Sequence, residues 1–180
     1  MLALKSLPHF SYSDYKNWEG NWELINGIPY AMSPAPAPRH QFIATELAVL
    51  LRQSLKESNC RKCKVYQFID YKIEDDIIVQ PDISIVCKTI KKLYLDFKPE
   101  LVVEILSPST RDKDIAVKLP LYQSKSIKWY LIIDPEKEVV DVYELIHGEY
   151  EQVKRIQNET YYFPLESGCT TSATFKEIWE

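Results

Sequence analysis

Two acidic residues stand in runs that are otherwise apolar. Glu104 lies in Leu101–Val102–Val103–Glu104–Ile105–Leu106, and Asp82 in Val79–Gln80–Pro81–Asp82–Ile83–Ser84–Ile85–Val86. An ionised carboxylate taken out of water is costly unless it is paired or bound to a cation. If the two runs are neighbouring strands, their carboxylates converge and repel, and a divalent cation turns that repulsion into mutual stabilisation. Hard oxygen donors of this kind suit Mg²⁺ or Mn²⁺ rather than zinc. The alternative is a pair of strand-end carboxylates that are salt-bridged or solvated. Downstream, Asp114, Lys118 and Tyr122 recur at i, i+4 and i+8, which puts Asp114 and Lys118 on one helix face. There Lys118 is either half of an exposed ion pair or an ammonium turned toward the carboxylates. In the second case it can orient an attacking water and stabilise charge on a pentavalent phosphate.

The elements that must position these groups follow from periodicity and turn chemistry. Residues 22–32 read as two short strands around Asn26–Gly27, a strong hairpin signal. The prolines of Ser33–Pro34–Ala35–Pro36–Ala37–Pro38 enforce an extended connection. From Arg39 to Glu57 the apolar Phe42, Ile43, Leu47, Leu50, Leu51 and Leu55 recur at helical spacing. Residues 64–73 alternate and read as one strand. Residues 77–87 and 101–106 are β-branched runs of strand length, the second central to a sheet, with a polar, Lys-rich connection over 88–99. Ser109 with Asp112 three residues on is a capping-box-like start for a helix reaching about Ser124. Pro120 should kink or break that helix, because its ring clashes with the Ala116 carbonyl. Residues 129–134 make a further strand, 139–145 and 150–156 a hairpin around His147–Gly148, and 175–179 a short closing helix.

A length of 180 residues suits one hydrophobic core, so residues 1–180 are expected to form a single domain. An apolar share of 46% against 27% charged argues against disorder. No apolar run approaches the roughly 18 residues that span a membrane, and residues 1–15 lack the pattern of a signal peptide. Cys60, Cys63, Cys87 and Cys169 are too few and too scattered for a disulfide framework, so reduced thiols in a cytoplasm are expected. The Cys60–Arg61–Lys62–Cys63 pair lacks a second pair for zinc and the flanking elements of a redox motif, and reads as a turn. Four glycines leave no phosphate-binding loop, and Ser107 and Ser109 lack the setting of a nucleophile elbow.

Pro81–Asp82, then Glu104–Ile105–Leu106, then a lysine on the following helix resemble the core of PD-(D/E)XK nucleases. The wider set resembles the Uma-type family of bacterial restriction endonucleases, a branch of that superfamily. Its pieces are Trp22–Glu23–Leu24–Ile25–Asn26–Gly27, Met32–Ser33–Pro34, Arg39–His40–Gln41, Gln80–Pro81–Asp82, Val102 through Arg111, Asp114 with Lys118 and Tyr122, and Trp129 through Pro135. The resemblance covers most of residues 12–150. It implies an α/β, restriction-endonuclease-like core, in which helices flank a central mixed β-sheet and β-hairpins are added. It also implies that Asp82 and Glu104 ligate Mg²⁺ (or Mn²⁺), with the Ile105 carbonyl as third ligand and Glu23 reaching the metal shell. The usual Glu-x-Lys triplet here reads Glu104–Ile105–Leu106, so the catalytic ammonium must come from Lys118, where the family pattern has it.

His40 matches the family pattern and either contacts phosphate and moves protons or simply caps a Pro-rich turn. Glu46 is a second candidate for the extra acid, its alternative being a solvated helix face. The activity implied is hydrolysis of DNA phosphodiester bonds by a cytoplasmic, metal-dependent endonuclease, acting as a homodimer for double-strand cleavage. The rival readings are a non-catalytic nuclease-fold module that binds nucleic acid or a partner protein, and hydrolysis of another phosphate ester.

The net charge of −4 argues against a wholly basic nucleic-acid binder, yet the charge is unevenly spread. Residues 134–180 carry 11 acids and 4 bases, whereas 52–64 carry 5 bases and 1 acid, and 88–98 carry 4 bases and 1 acid. A basic rim beside an acidic site is compatible with that distribution.

Overall fold

The Asn26–Gly27 turn has the backbone that its residues favour. In the computed structural model, which describes residues 8–32, 37–108 and 111–180, both adopt positive φ, 51° and 72°. After a short helix α1 (Tyr12–Tyr15), that turn joins β1 (Trp22–Ile25) to β2 (Ile28–Ala31). Helix α2 (Pro38–Glu57) begins on a proline, whose missing N–H costs nothing at a helix start. It buries His40, Ile43, Ala44, Leu47, Leu51 and Leu55 on one stripe.

The runs at 64–73 and 77–87 each divide into two strands, where one strand apiece is expected from their patterns. β3 (Lys64–Gln67) ends at Phe68, whose φ of 51° turns the chain before β4 (Tyr71–Glu74). β5 (Ile77–Val79) is separated from β6 (Ile83–Val86) by Gln80, Pro81 and Asp82. Pro81 has no N–H for a sheet ladder, and the chain changes sheets at that point. The strand-like pattern, alternating in the first run and β-branched in the second, continues on both sides of each break, so periodicity alone cannot reveal it.

Next come β7 (Leu101–Ile105), α3 (Arg111–Lys113), a π-helical stretch over Asp114–Lys118 and α4 (Leu119–Ser124). The expected capping pair falls outside the described region, both Ser109 and the side chain of Asp112. The kink expected at Pro120 takes the form of the π stretch. The Ala116 carbonyl, denied an α-helical donor at Pro120, lies within the widened turn. β8 (Trp129–Asp134), β9 (Val139–Ile146) and β10 (Glu149–Ile156) follow, the last two joined at His147–Gly148. A hairpin of β11 (Thr160–Pro164) and β12 (Thr170–Thr174), absent from the sequence expectations, leads to a 3₁₀ turn at Phe175–Ile178.

The smaller sheet runs β2-β1-β5-β4 and the larger β10-β9-β8-β7-β6-β3. Within the larger sheet β7 and β8 are parallel, and the helical segment Arg111–Ser124 crosses between them. One face of that sheet, with Ile83, Ile85, Val103, Ile105, Leu131 and Ile133, packs in the same core cluster as α2, Phe163 and Phe175. The other face sets Val102, Tyr130 and Ile132 against Tyr122 and Ile127. Side chains alternate along a strand, so Glu104 shares the Val102 face and looks toward the crossover.

The cysteines depart from the expected scattered thiols. Cys60 is joined to Cys169 and Cys63 to Cys87 in disulfides. The β3–β6 register pairs Lys64 with Val86, which brings Cys63 opposite Cys87, a proximity that sequence spacing does not show. Among the described residues no helix is long and apolar enough to cross a membrane.

Leu47 is fully buried on the α2 stripe while Val49 is 51% exposed. Leu47→Ala should cost about 2–5 kcal/mol, seen as a lower urea midpoint at unchanged slope. Val49→Ala should change stability by no more than about 0.5 kcal/mol in the same titration.

Candidate active site

Glu104, next to the C-terminal end of β7, meets side chains of the crossover almost wholly out of water. Lys118 Nζ lies 2.9 Å from Glu104 Oε1, and the Tyr122 hydroxyl donates to the same oxygen at 2.7 Å. Lys118 also lies 2.8 Å from Glu23 Oε1 and 3.4 Å from Asp114 Oδ1, and is 1% exposed. Glu23 arrives from β1 of the smaller sheet. Its Oε1 accepts the Gln80 N–H at 2.9 Å, and its Oε2 pairs with Lys113. The Tyr130 hydroxyl donates to the Asp114 carbonyl at 3.0 Å, and its ring packs edge-on to Tyr122.

Asp82 enters from the opposite side of β7. The β6–β7 register pairs Ile83 with Val103, so Asp82 sits one step beyond, beside Glu104 and Ile105. Its Oδ2 accepts the Ile105 N–H at 2.7 Å and lies 3.2 Å from Nε2 of His40, from the first turn of α2. The structure thus brings together Asp82, Glu104, Ile105, Lys118, Glu23 and His40. Glu46 is half-buried further along α2, and Glu23 is the acid that reaches the lysines. Lys113 was not legible as part of the group. It precedes Lys118 by five residues, an offset that shares a face only where a helix widens to π.

Four carboxylates (Glu23, Asp82, Glu104 and Asp114) therefore meet two ammonium groups and one imidazole. Burial works against the charge of Lys118, but Glu104, Glu23 and Asp114 outweigh it and hold the ammonium well above its ordinary range. Burial likewise opposes ionisation of Glu23, yet Lys118 and Lys113 prevail and lower its pKa. Glu104 goes the other way. Burial, with Asp114, Asp82 and Glu23, pushes it well above the usual carboxylate range despite Lys118. Lys118 stays charged, and the surplus negative charge of the cluster appears as proton affinity at Glu104. A divalent cation relieves the same surplus, and carboxylate oxygens with the Ile105 carbonyl are the donors that Mg²⁺ or Mn²⁺ takes. His40 is pulled above its ordinary value of 6.5: burial opposes this, but the hydrogen bond and charge of Asp82 prevail, helped by the Ile105 carbonyl.

A cleft of about 410 Å³ opens beside His40, with Arg39, Leu106, Arg111 and Asp134 in its wall. Arg39 donates to the Trp179 carbonyl at 2.8 Å, and Arg111 pairs with Asp134 at 2.9 Å. The basic stretch at 52–64 does not form the rim of this site. Lys56 is sixteen residues beyond His40 on α2, about 24 Å along the helix axis.

A central mixed sheet with helices packed on it, and a crossover that carries the lysine, make this a nuclease-like α/β fold. The chain belongs to the Uma2 family, described as "Putative restriction endonuclease", whose model matches residues 11–168. The uncharacterized protein slr1290 of Synechocystis sp. is 28% identical over 149 residues, 76% of this chain and 74% of its own. The fold is also that of a protein from Anabaena variabilis ATCC 29413 whose structure is described as "a putative nuclease belonging to DUF820". The two superpose with a TM-score of 0.74 at 17% identity, over 94% of this chain and 97% of that one.

Lys118→Met leaves Glu104 and Glu23 buried without their shared cation and should cost about 3–5 kcal/mol in urea denaturation. Adding Glu104→Gln should recover part of that loss. In chelator-treated protein, NMR titration should place the His40 imidazole above 6.5, and Asp82→Asn should bring it down. Because the folded-state value is raised, the stability His40 contributes is complete below its unfolded pKa and is lost as pH rises through the folded one. His40→Gln should flatten that part of the stability–pH curve.

Proposed function

We propose that the chain is a metal-dependent endonuclease that hydrolyses DNA phosphodiester bonds at the cluster of Asp82, Glu104 and Lys118. One observation carries the reading: residues from the β5–β6 junction, β7 and the π stretch converge, with Lys118 Nζ 2.9 Å from Glu104. The ammonium that Leu106 cannot supply is thereby available from the crossover. Asp82, Glu104 and the Ile105 carbonyl would hold Mg²⁺ or Mn²⁺, which when bound lowers the pKa of a water and neutralises charge on the phosphate.

The other groups prepare the site. Glu23, fixed by Gln80 and Lys113, holds Lys118 in position to orient water and stabilise the developing charge. Tyr122 fixes one oxygen of Glu104, and His40 fixes one oxygen of Asp82. The backbone of DNA approaches through the cleft beside His40, where Arg39 and Arg111 can exchange protein carboxylate and carbonyl partners for phosphate. Cutting both strands of a duplex needs two sites, and a homodimer supplies them.

The test is nicking of supercoiled plasmid with Mg²⁺, Mn²⁺ or chelator. Cleavage should require the divalent ion, and Asp82→Asn and Glu104→Gln should abolish it. Lys118→Met should lower the rate by roughly 10²–10³-fold. Cleavage that persists in chelator, or in Asp82→Asn and Glu104→Gln, would overturn the assignment. A wild-type protein that binds DNA without any metal-stimulated nicking would show instead a non-catalytic module.

A further inference from the structure

At the far end of α2 from His40, four sulfurs come together from three parts of the chain. Cys60 follows the helix, Cys63 precedes β3, Cys87 follows β6 and Cys169 precedes β12. The Sγ atoms of Cys60, Cys63 and Cys169 all lie within 4.8 Å of one another, and Cys87 Sγ is bonded to that of Cys63. We propose that this cluster is a structural zinc site, Zn²⁺ being held by the four thiolates when the cysteines are reduced. The two disulfides are the oxidised, metal-free form of the same site.

Two disulfides by themselves require only two close pairs. Three sulfurs within 4.8 Å of one another, with the fourth bonded to one of them, lie near what a tetrahedral ion requires: with Zn–S bonds of about 2.3 Å, ligand sulfurs stand about 3.8 Å apart. Cys60 and Cys63 have the C-x₂-C spacing of a zinc-binding pair, yet they are not bonded to each other. Asn59, at φ 54°, turns the chain off the end of α2 just before this pair. The other two ligands come from strands that the fold brings alongside.

The surroundings suit a tetrathiolate. Zinc with four thiolates carries two net negative charges, and Arg52, Lys56, Arg61 and Lys64 line the surface around Cys60 and Cys63. Ser167 Oγ lies 3.3 Å from Cys63 Sγ, a hydroxyl placed to donate to a ligand sulfur. Lys62 bonds the Ser167 carbonyl, and the Ser167 N–H donates to Glu100 at 3.0 Å, so the loop bearing Cys169 is already docked. The ion would clamp the β11–β12 loop to the end of α2 and to the β3 edge of the larger sheet. The basic stretch at 52–64 thereby finds a role that the acidic site does not give it.

Binding to the reduced chain exchanges four S–H protons, released to solvent, for four S–Zn bonds. Starting from the disulfide form, a dithiol reductant must first deliver two electrons and two protons to each S–S bond and become a disulfide itself. The experiment uses the full chain purified with reductant and without chelator. Metal analysis, thiol titration and intact mass should give one zinc per chain and four thiols, protected from alkylation until the zinc is removed. Cobalt in place of zinc should give the intense visible bands of a tetrahedral thiolate complex, lost in Cys87→Ser, and Ser167→Ala should weaken zinc binding by roughly tenfold. Reduced, folded wild-type protein that binds no stoichiometric zinc, or gives only the pale spectrum of octahedral cobalt, would overturn the proposal. So would disulfides that persist in the folded protein under a strong dithiol.

Discussion

Lys118 is among the largest fully buried side chains of the protein, and its ammonium is tolerated there because carboxylates surround it. The constraint is reciprocal. Glu23 and Glu104 are as deeply buried and need the lysine as much as it needs them. These groups come from the smaller sheet, the larger sheet and the crossover between parallel strands. The ion-pair network is therefore where the separate layers must agree in register. A shift of one residue in β7 would turn Glu104 into the α2 core and leave Lys118 without its partner.

The backbone is adapted to that demand. Pro120 and the preceding π stretch keep Asp114 and Lys118 together and bring Lys113 to the same side. Pro81 ends one strand and releases Asp82 from regular pairing just where the chain changes sheets. Its carboxylate can then accept the Ile105 N–H rather than lie within a ladder. Two prolines that look like interruptions thus lie beside the two groups that most need an irregular backbone.

Charge is partitioned along the same lines. Acidic groups gather inside, at the start of α2, whereas the bases of residues 52–64 gather around the cysteines at its other end. The total of −4 conceals this, because the surplus acids of residues 134–180 offset the basic stretches at 52–64 and 88–98.

By itself the sequence determined the strongly periodic or strongly punctuated pieces: the Asn26–Gly27 and His147–Gly148 hairpins, the long helix α2, the central strand β7 and the strand β8. It also marked Asp82 and Glu104, since a carboxylate amid β-branched residues is conspicuous without any structure. Local physics sufficed there, because turn geometry and burial pattern depend on near neighbours. Only the tertiary structure decided that 64–73 and 77–87 divide between two sheets, because a strand-like pattern looks the same in either. It alone brought Lys113 to Glu23, through a helix widening that α-helical spacing does not anticipate. The meeting of Cys60, Cys63, Cys87 and Cys169 was likewise hidden, because it depends on strand pairing between residues up to 109 positions apart. Sequence spacing carries no information about such closures, whereas the register of β3 against β6 dictates one of them directly.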